Sequence, residues 1–172
     1  MPNHLSILGI IHTAISIIAV LAAFYALFRD GKIDPANSRG RSYIWLTAIT
    51  CLTALPIMKT GHLTAGHYVA VVVLVLLPIG VYAGRIFGKA SAYAQVIIMS
   101  TTLFLSLIPS IVETLTRVPL SKPLAADPNA PIIQNGLMGL LIMYVAGVIY
   151  QLVKVSAKRK SAKKDSSPIN LA

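Results

Sequence analysis

Residues 7–28, ILGIIHTAISIIAVLAAFYALF, decide the fold class. The stretch holds no acid and no base apart from His12. About 20 apolar residues in a helix, at roughly 1.5 Å of rise each, cover the roughly 30 Å hydrocarbon core of a bilayer. The segment therefore predicts a transmembrane helix carrying an imidazole about two turns inside one end. Its approach, Met1-Pro2-Asn3-His4, lacks the basic start of a cleavable signal, and its apolar run is longer than a signal's apolar core.

The rest of the chain has the same character. Of its 172 residues, 56% are hydrophobic and only 12% charged, with a mean hydropathy of +0.75. So few charges cannot keep that much apolar surface in solution, which points to an integral membrane protein. The apolar runs are continuous, whereas a transmembrane β-barrel shows alternating segments of about ten residues. The net charge of +10 does not indicate a nucleic-acid partner, because the lysines and arginines flank apolar runs as topology signals do. One cysteine, Cys51, excludes an internal disulfide, and its apolar setting reads as a small packed thiol.

Read outward from the first span, the pattern predicts an all-α bundle of five transmembrane helices over residues 1–153. The spans fall at about 5–28, 43–58, 63–82, 93–112 and 132–153, followed by a basic tail at 154–172. The stretch 33–41, with Pro35, Asn37 and Gly40, reads as a polar loop. Tyr43 and Trp45 stand as interfacial aromatics at the start of span two, and Pro56 makes its last turn irregular. Pro78 predicts a kink in span three, and residues 84–89 a tight basic turn. Four prolines between 119 and 131 predict an extended surface loop, and the tail reads as polar and mobile.

Five spans place the termini on opposite sides. Twelve of the fifteen lysines and arginines then share one side, and three (Lys59, Arg117, Lys122) take the other. By the positive-inside rule the N-terminus lies outside and the C-terminal tail in the cytoplasm, where anionic lipids are its expected partners.

That orientation gathers the histidines. His4, His12, His62 and His67 all fall in the outer half, with Glu113 at the outer end of span four. Imidazole is a common metal ligand, and two axial imidazoles are a usual way to hold a haem. His62 and His67 stand about 140° apart on one helix, so they cannot share a site on it. His12 and His67, from different spans at similar depth, are the candidate pair for a b-type haem or a transition metal, with Glu113 as support and His4 and His62 as weaker candidates. Against this stands a packing role for His12, bonded to a neighbouring hydroxyl or carbonyl, or a proton-transfer role. His4 and His62 also read as solvated interface residues.

Gln95, Thr102, Ser106, Ser110 and Glu113 recur at steps of seven, four, four and three, along one side of span four. The stripe reads either as the wall of a cavity entered from outside or as interhelical hydrogen bonding with Glu113 paired to Arg117. The chain has no glycine-rich phosphate loop, HExxH or CxxC motif, and no Asp, Lys or Arg in the middle of a span.

With HTAISIIAVLAAFYALFRDGKI at 12–33, GHLTAGH at 61–67 and LIPSIVETLTRVP at 107–119, the chain resembles a family of small multi-span bacterial inner-membrane proteins of unknown function. The resemblance covers most of residues 5–153 and implies a bacterial inner membrane. Three functions follow from the residues. The first is a redox or metal protein using His12 and His67. The second is an accessory or assembly subunit packed on another membrane protein or a second copy. The third is a small-molecule carrier using the polar face of span four.

Overall fold

The computed structural model describes residues 6–57, 63–117 and 123–165. Every regular element among them is helical: α1 Ile7–Asp30, α2 Ser38–Ala54, α3 Ala65–Val81, the short α4 Ala83–Phe87, α5 Ser91–Arg117 and α6 Pro131–Asp165. A single 3-10 turn, Gly88–Ala90, joins α4 to α5.

Local chemistry sets the ends. The Ser6 hydroxyl accepts from Gly9 N–H at 3.1 Å and starts α1. Gly31, at φ 71°, ends it in the left-handed conformation, with its N–H on Leu27 O. Asn37 caps α2 by accepting from Gly40 N–H at 2.8 Å, so the helix begins at Ser38, inside the stretch that its prolines and glycines marked as loop. Pro131 opens α6, where a missing N–H costs nothing.

Among the described residues three helical stretches are long and apolar enough to cross a membrane: Ile7–Asp30, Ala83–Arg117 and Pro131–Ala162. Helices α2 and α3 have 17 residues each. Large apolar side chains cover the outside of the bundle, among them Ile10, Ile18, Leu21 and Phe28 of α1 and Leu141, Ile142, Met143 and Val153 of α6. Such an apolar exterior suits a lipid environment.

Helix α1 packs along α2, α2 packs on α3, and α5 lies between α3 and α6. The core is built from small and medium side chains: Ala23, Ala26, Ala70, Val73, Leu77, Met99 and Leu103, with Tyr43 at 1% exposure. Gly80 lets α3 approach α5 closely, since a Cβ there would meet the Met99 methyl. Thr102 donates to Met99 O at 2.8 Å and accepts from the Tyr43 hydroxyl at 2.9 Å, tying α2 to α5. Gln151 to Ser100 at 3.1 Å and the Thr101–Tyr144 hydroxyl pair at 2.8 Å tie α6 to α5.

At one end of the bundle Arg39 grips Asp30 through two bonds of 2.9 and 2.7 Å, and Asn37 adds a third at 2.9 Å. These bonds lock the α1–α2 turn. Lys32 pairs with Asp34 at 2.8 Å. Burial pushes the Asp34 carboxyl upward, but Lys32 and the Ala36 N–H outweigh it and hold the group below its ordinary 3.8.

Several local expectations change. The helix expected to end near residue 153 continues to Asp165, and Arg159 fixes the added turns by donating to Lys89 O at 2.7 Å and covering the Tyr93 ring at 5.0 Å. The basic turn at 84–89 is helical over most of its length. In the proline-rich loop Ala125 is buried and bonds Leu115 O at 2.9 Å, so this stretch folds back over the end of α5; residues 118–122 of the loop lie outside the described residues.

Gly40 is the tightest of these contacts, because a Cβ there would strike the Asp34 carbonyl. Gly40→Ala should destabilise the protein by about 1–3 kcal/mol, as overpacking does, whereas Gly139→Ala, with open space around the added methyl, should stabilise it by about 0.5–1 kcal/mol. Denaturant unfolding of purified protein followed by circular dichroism reads both. A carboxyl lowered in the folded state stabilises above its ordinary value and loses that contribution as the pH falls through its folded value. Asp34→Asn should therefore melt below wild type at pH 7, and the two curves should converge as the pH falls below 3.8.

Candidate functional site

At the opposite end, where α1 and α3 begin and α2 and α5 finish, the four helices diverge around a partly open cavity of about 470 Å³. That volume lies within the range of small-molecule sites, roughly 300–1,000 Å³. His12, His67, Ser106, Ser110 and Glu113 all line it. His12, His67 and Glu113, grouped together by the sequence pattern, thus share one wall. Gln95 and Thr102 are not part of it. Gln95 reaches Gly80 O at 3.4 Å and Thr102 binds Tyr43, so the polar stripe divides: the part nearer the start of α5 joins helices and the rest lines the cavity. His4 and His62 lie outside the described residues.

The histidines are held by different hydrogen bonds. His12 Nδ1 lies 3.1 Å from Thr50 O and 3.1 Å from Thr53 Oγ1. A carbonyl can only accept, and the Thr53 proton is already spent on Ile49 O and Thr50 O. His12 Nδ1 therefore carries a proton, and in the neutral ring Nε2 keeps the lone pair. His67 is the reverse. It is the third residue of α3, and its Nδ1 accepts from the Thr64 backbone N–H at 3.1 Å and from the Thr64 hydroxyl at 2.9 Å. This is the return half of a capping box, with an imidazole where glutamate or glutamine is usual. The proton of neutral His67 is consequently on Nε2.

These tautomers bear on metal and haem binding. His12 offers one lone pair to the cavity. Ligation by His67 would require its Nε2 lone pair, hence a proton on Nδ1 facing the Thr64 N–H donor. Glu113 is engaged with Arg117 at 2.5 Å. Among the described residues no three His, Cys, Asp or Glu side chains come together as a metal-binding group. In this arrangement His12 alone of the two imidazoles presents a free ring lone pair to the cavity.

The remainder of the wall was less legible. Tyr43, Thr47, Thr50, Cys51 and Ala54 of α2 and Thr64 at the start of α3 complete it. The spacing of Tyr43, Thr47, Thr50 and Ala54 is one face of a helix, a signal available in the sequence. The hydroxyls of Thr13, Ser16, Ser106 and Ser110 each donate to the carbonyl four residues earlier, at 2.7–3.0 Å, which leaves their oxygens able to accept. Three buried wall atoms have no hydrogen-bond partner: Thr47 Oγ1, Thr50 Oγ1 and His67 Nε2. Thr47 is 2% and His67 5% exposed. Buried polar groups are almost always bonded, and an unmade bond costs about 1–3 kcal/mol; Gln151 Oε1, away from the cavity, is the one other such atom among the described residues.

No protein-family model, curated protein or solved structure matches the chain.

The cap and the wall can be separated by substitution. His67→Ala should cost about 1 kcal/mol of stability through loss of the cap. His67→Gln should cost less than half of that, because glutamine in the third helical position closes the same capping box. Thermal unfolding of the two variants in one detergent makes the comparison.

Proposed function

We propose that this protein is a five-span protein of the bacterial inner membrane that binds a small molecule in a cavity opening toward the outer face. The three unpartnered polar atoms on the wall of a ligand-sized cavity carry this reading. The described cationic residues support the orientation. Arg29, Lys32, Arg39, Arg41, Arg85, Lys89 and those of α6 lie at the end away from the cavity, and the positive-inside rule puts that end in the cytoplasm. There the basic turns of α6 meet anionic lipid headgroups. Helices α2 and α3, at 17 residues, span roughly 25 Å each, and a modestly thinned bilayer or their flanking apolar residues make up the difference. The resemblance noted in the sequence agrees with an inner-membrane location.

The chemistry is that of a binding site. Hydroxyls and imidazoles converge on an otherwise apolar chamber, an arrangement that orients a ligand without activating it. A carrier or a membrane-embedded receptor uses such a chamber.

Native mass spectrometry of protein released from its own membrane tests the proposal. Wild type should carry a small-molecule adduct, and Ser110→Phe, which fills the chamber from α5, should lose it while keeping its helical circular dichroism spectrum. Identical adducts on both proteins, or none on either, would sink the proposal.

A further inference from the structure

We infer that the molecule held in this cavity is uncharged, an amphiphile with a hydroxyl or carboxamide head and an apolar body; this rests on the cavity being a binding site. The first argument is charge. The ionisable side chains on the wall other than Tyr43 and Cys51 are His12, His67, Glu113 and Arg117. Glu113 and Arg117 neutralise each other at 2.5 Å. The hydrogen bonds of His67 require a neutral ring, because its Nδ1 accepts from a backbone N–H. His12 is the remaining group, and an imidazole is mostly uncharged at pH 7. A charged head would therefore enter an apolar chamber with little countercharge to meet it, and the desolvation of an ion far exceeds that of a neutral polar head.

The second argument is the pattern of donors and acceptors. His67 Nε2–H is an unused donor, and Thr47 and Thr50 are hydroxyls without partners. His12 Nε2 and the back-bonded Ser106 and Ser110 oxygens are acceptors. A head that both donates and accepts satisfies such a wall. A hydroxyl or a primary amide does so; an ether, an ester or a quaternary ammonium does not. The third argument is shape. Val20 of α1, Val69 and Val73 of α3 and Leu107 of α5 line the same chamber, giving an apolar body its surroundings, and Ile17 and Leu21 stand at its open edge.

The probes are four C12 homologues: dodecanol, dodecanamide, laurate and dodecyltrimethylammonium. Each is titrated at pH 7 into the full chain in nanodiscs, with Ser110→Phe nanodiscs as the baseline that removes partitioning into lipid. Dodecanol and dodecanamide should bind at least about tenfold more tightly than either ion, given the unbalanced desolvation. His67→Glu keeps a capping-box residue at the helix start and places an uncompensated carboxylate on the wall, so it should shift the preference toward dodecyltrimethylammonium. Saturable binding of laurate or dodecyltrimethylammonium to wild type as tight as that of the neutral pair overturns the inferred ligand class and leaves the binding cavity standing. No binding of any homologue above the Ser110→Phe baseline overturns both.

Discussion

An apolar surround gives a polar group no water to fall back on, so each must find its partner within the protein. This constraint organises the bundle. Tyr43 donates a hydrogen bond to Thr102, which donates to Met99 O, and two helices are fixed in register by one chain of hydroxyls. Gln151 with Ser100, and Tyr144 with Thr101, hold α6 against α5, a contact otherwise made by a stacked Phe104–Tyr144 pair at 4.6 Å. The core residues between these ties are mostly alanine, valine and leucine, which bring helices close but specify register weakly. The polar pairs provide that register.

The same constraint makes the cavity conspicuous. Outside it, threonine and serine hydroxyls on α5 are spent on the backbone or on a neighbouring helix. On its wall, Thr47 Oγ1, Thr50 Oγ1 and His67 Nε2 have no partner, whereas elsewhere among the described residues only Gln151 Oε1 lacks one. His12 and His67 stand on that wall with opposite tautomers, each imposed by backbone: a carbonyl near the end of α2 for one, an N–H at the start of α3 for the other. Two helix termini thus set the proton positions of two imidazoles, turning what looks like a ligand pair into a donor and an acceptor.

Charge is sorted along the bundle axis. One end carries the Asp30–Arg39 lock, the Lys32–Asp34 pair and the basic turns of α4 and α6; the other carries Glu113 bonded to Arg117 around the cavity mouth. The aromatic rings of Tyr82, Tyr93 and Tyr150 receive Arg85, Arg159 and Lys154 at 4.6–5.6 Å, so the end with the basic turns also gathers cations over ring faces.

Sequence alone determined what depends on neighbours along the chain. The apolar run of α1, the start of α6 to within a residue, the placement of His12, His67 and Glu113 toward one end of the bundle, and the Glu113–Arg117 pair one turn apart are all local or periodic, and hydrophobic period and helical rise suffice to read them. Local polarity also misled. Asn37 and Gly40 looked like a loop because caps and loops use the same residues, and the lysines past Val153 looked like a free tail because their charge hid a helix that Arg159 anchors to the α4 turn, 70 residues away in sequence. Only the tertiary structure decided which side chains meet. The His12–Thr50 bond spans 38 residues and Tyr43–Thr102 spans 59, and no periodicity within a helix encodes which face of another helix it will find. The tautomers, the unpartnered hydroxyls and the cavity itself arise from those meetings, because a void and its chemistry belong to the packing of helices and to none of them singly.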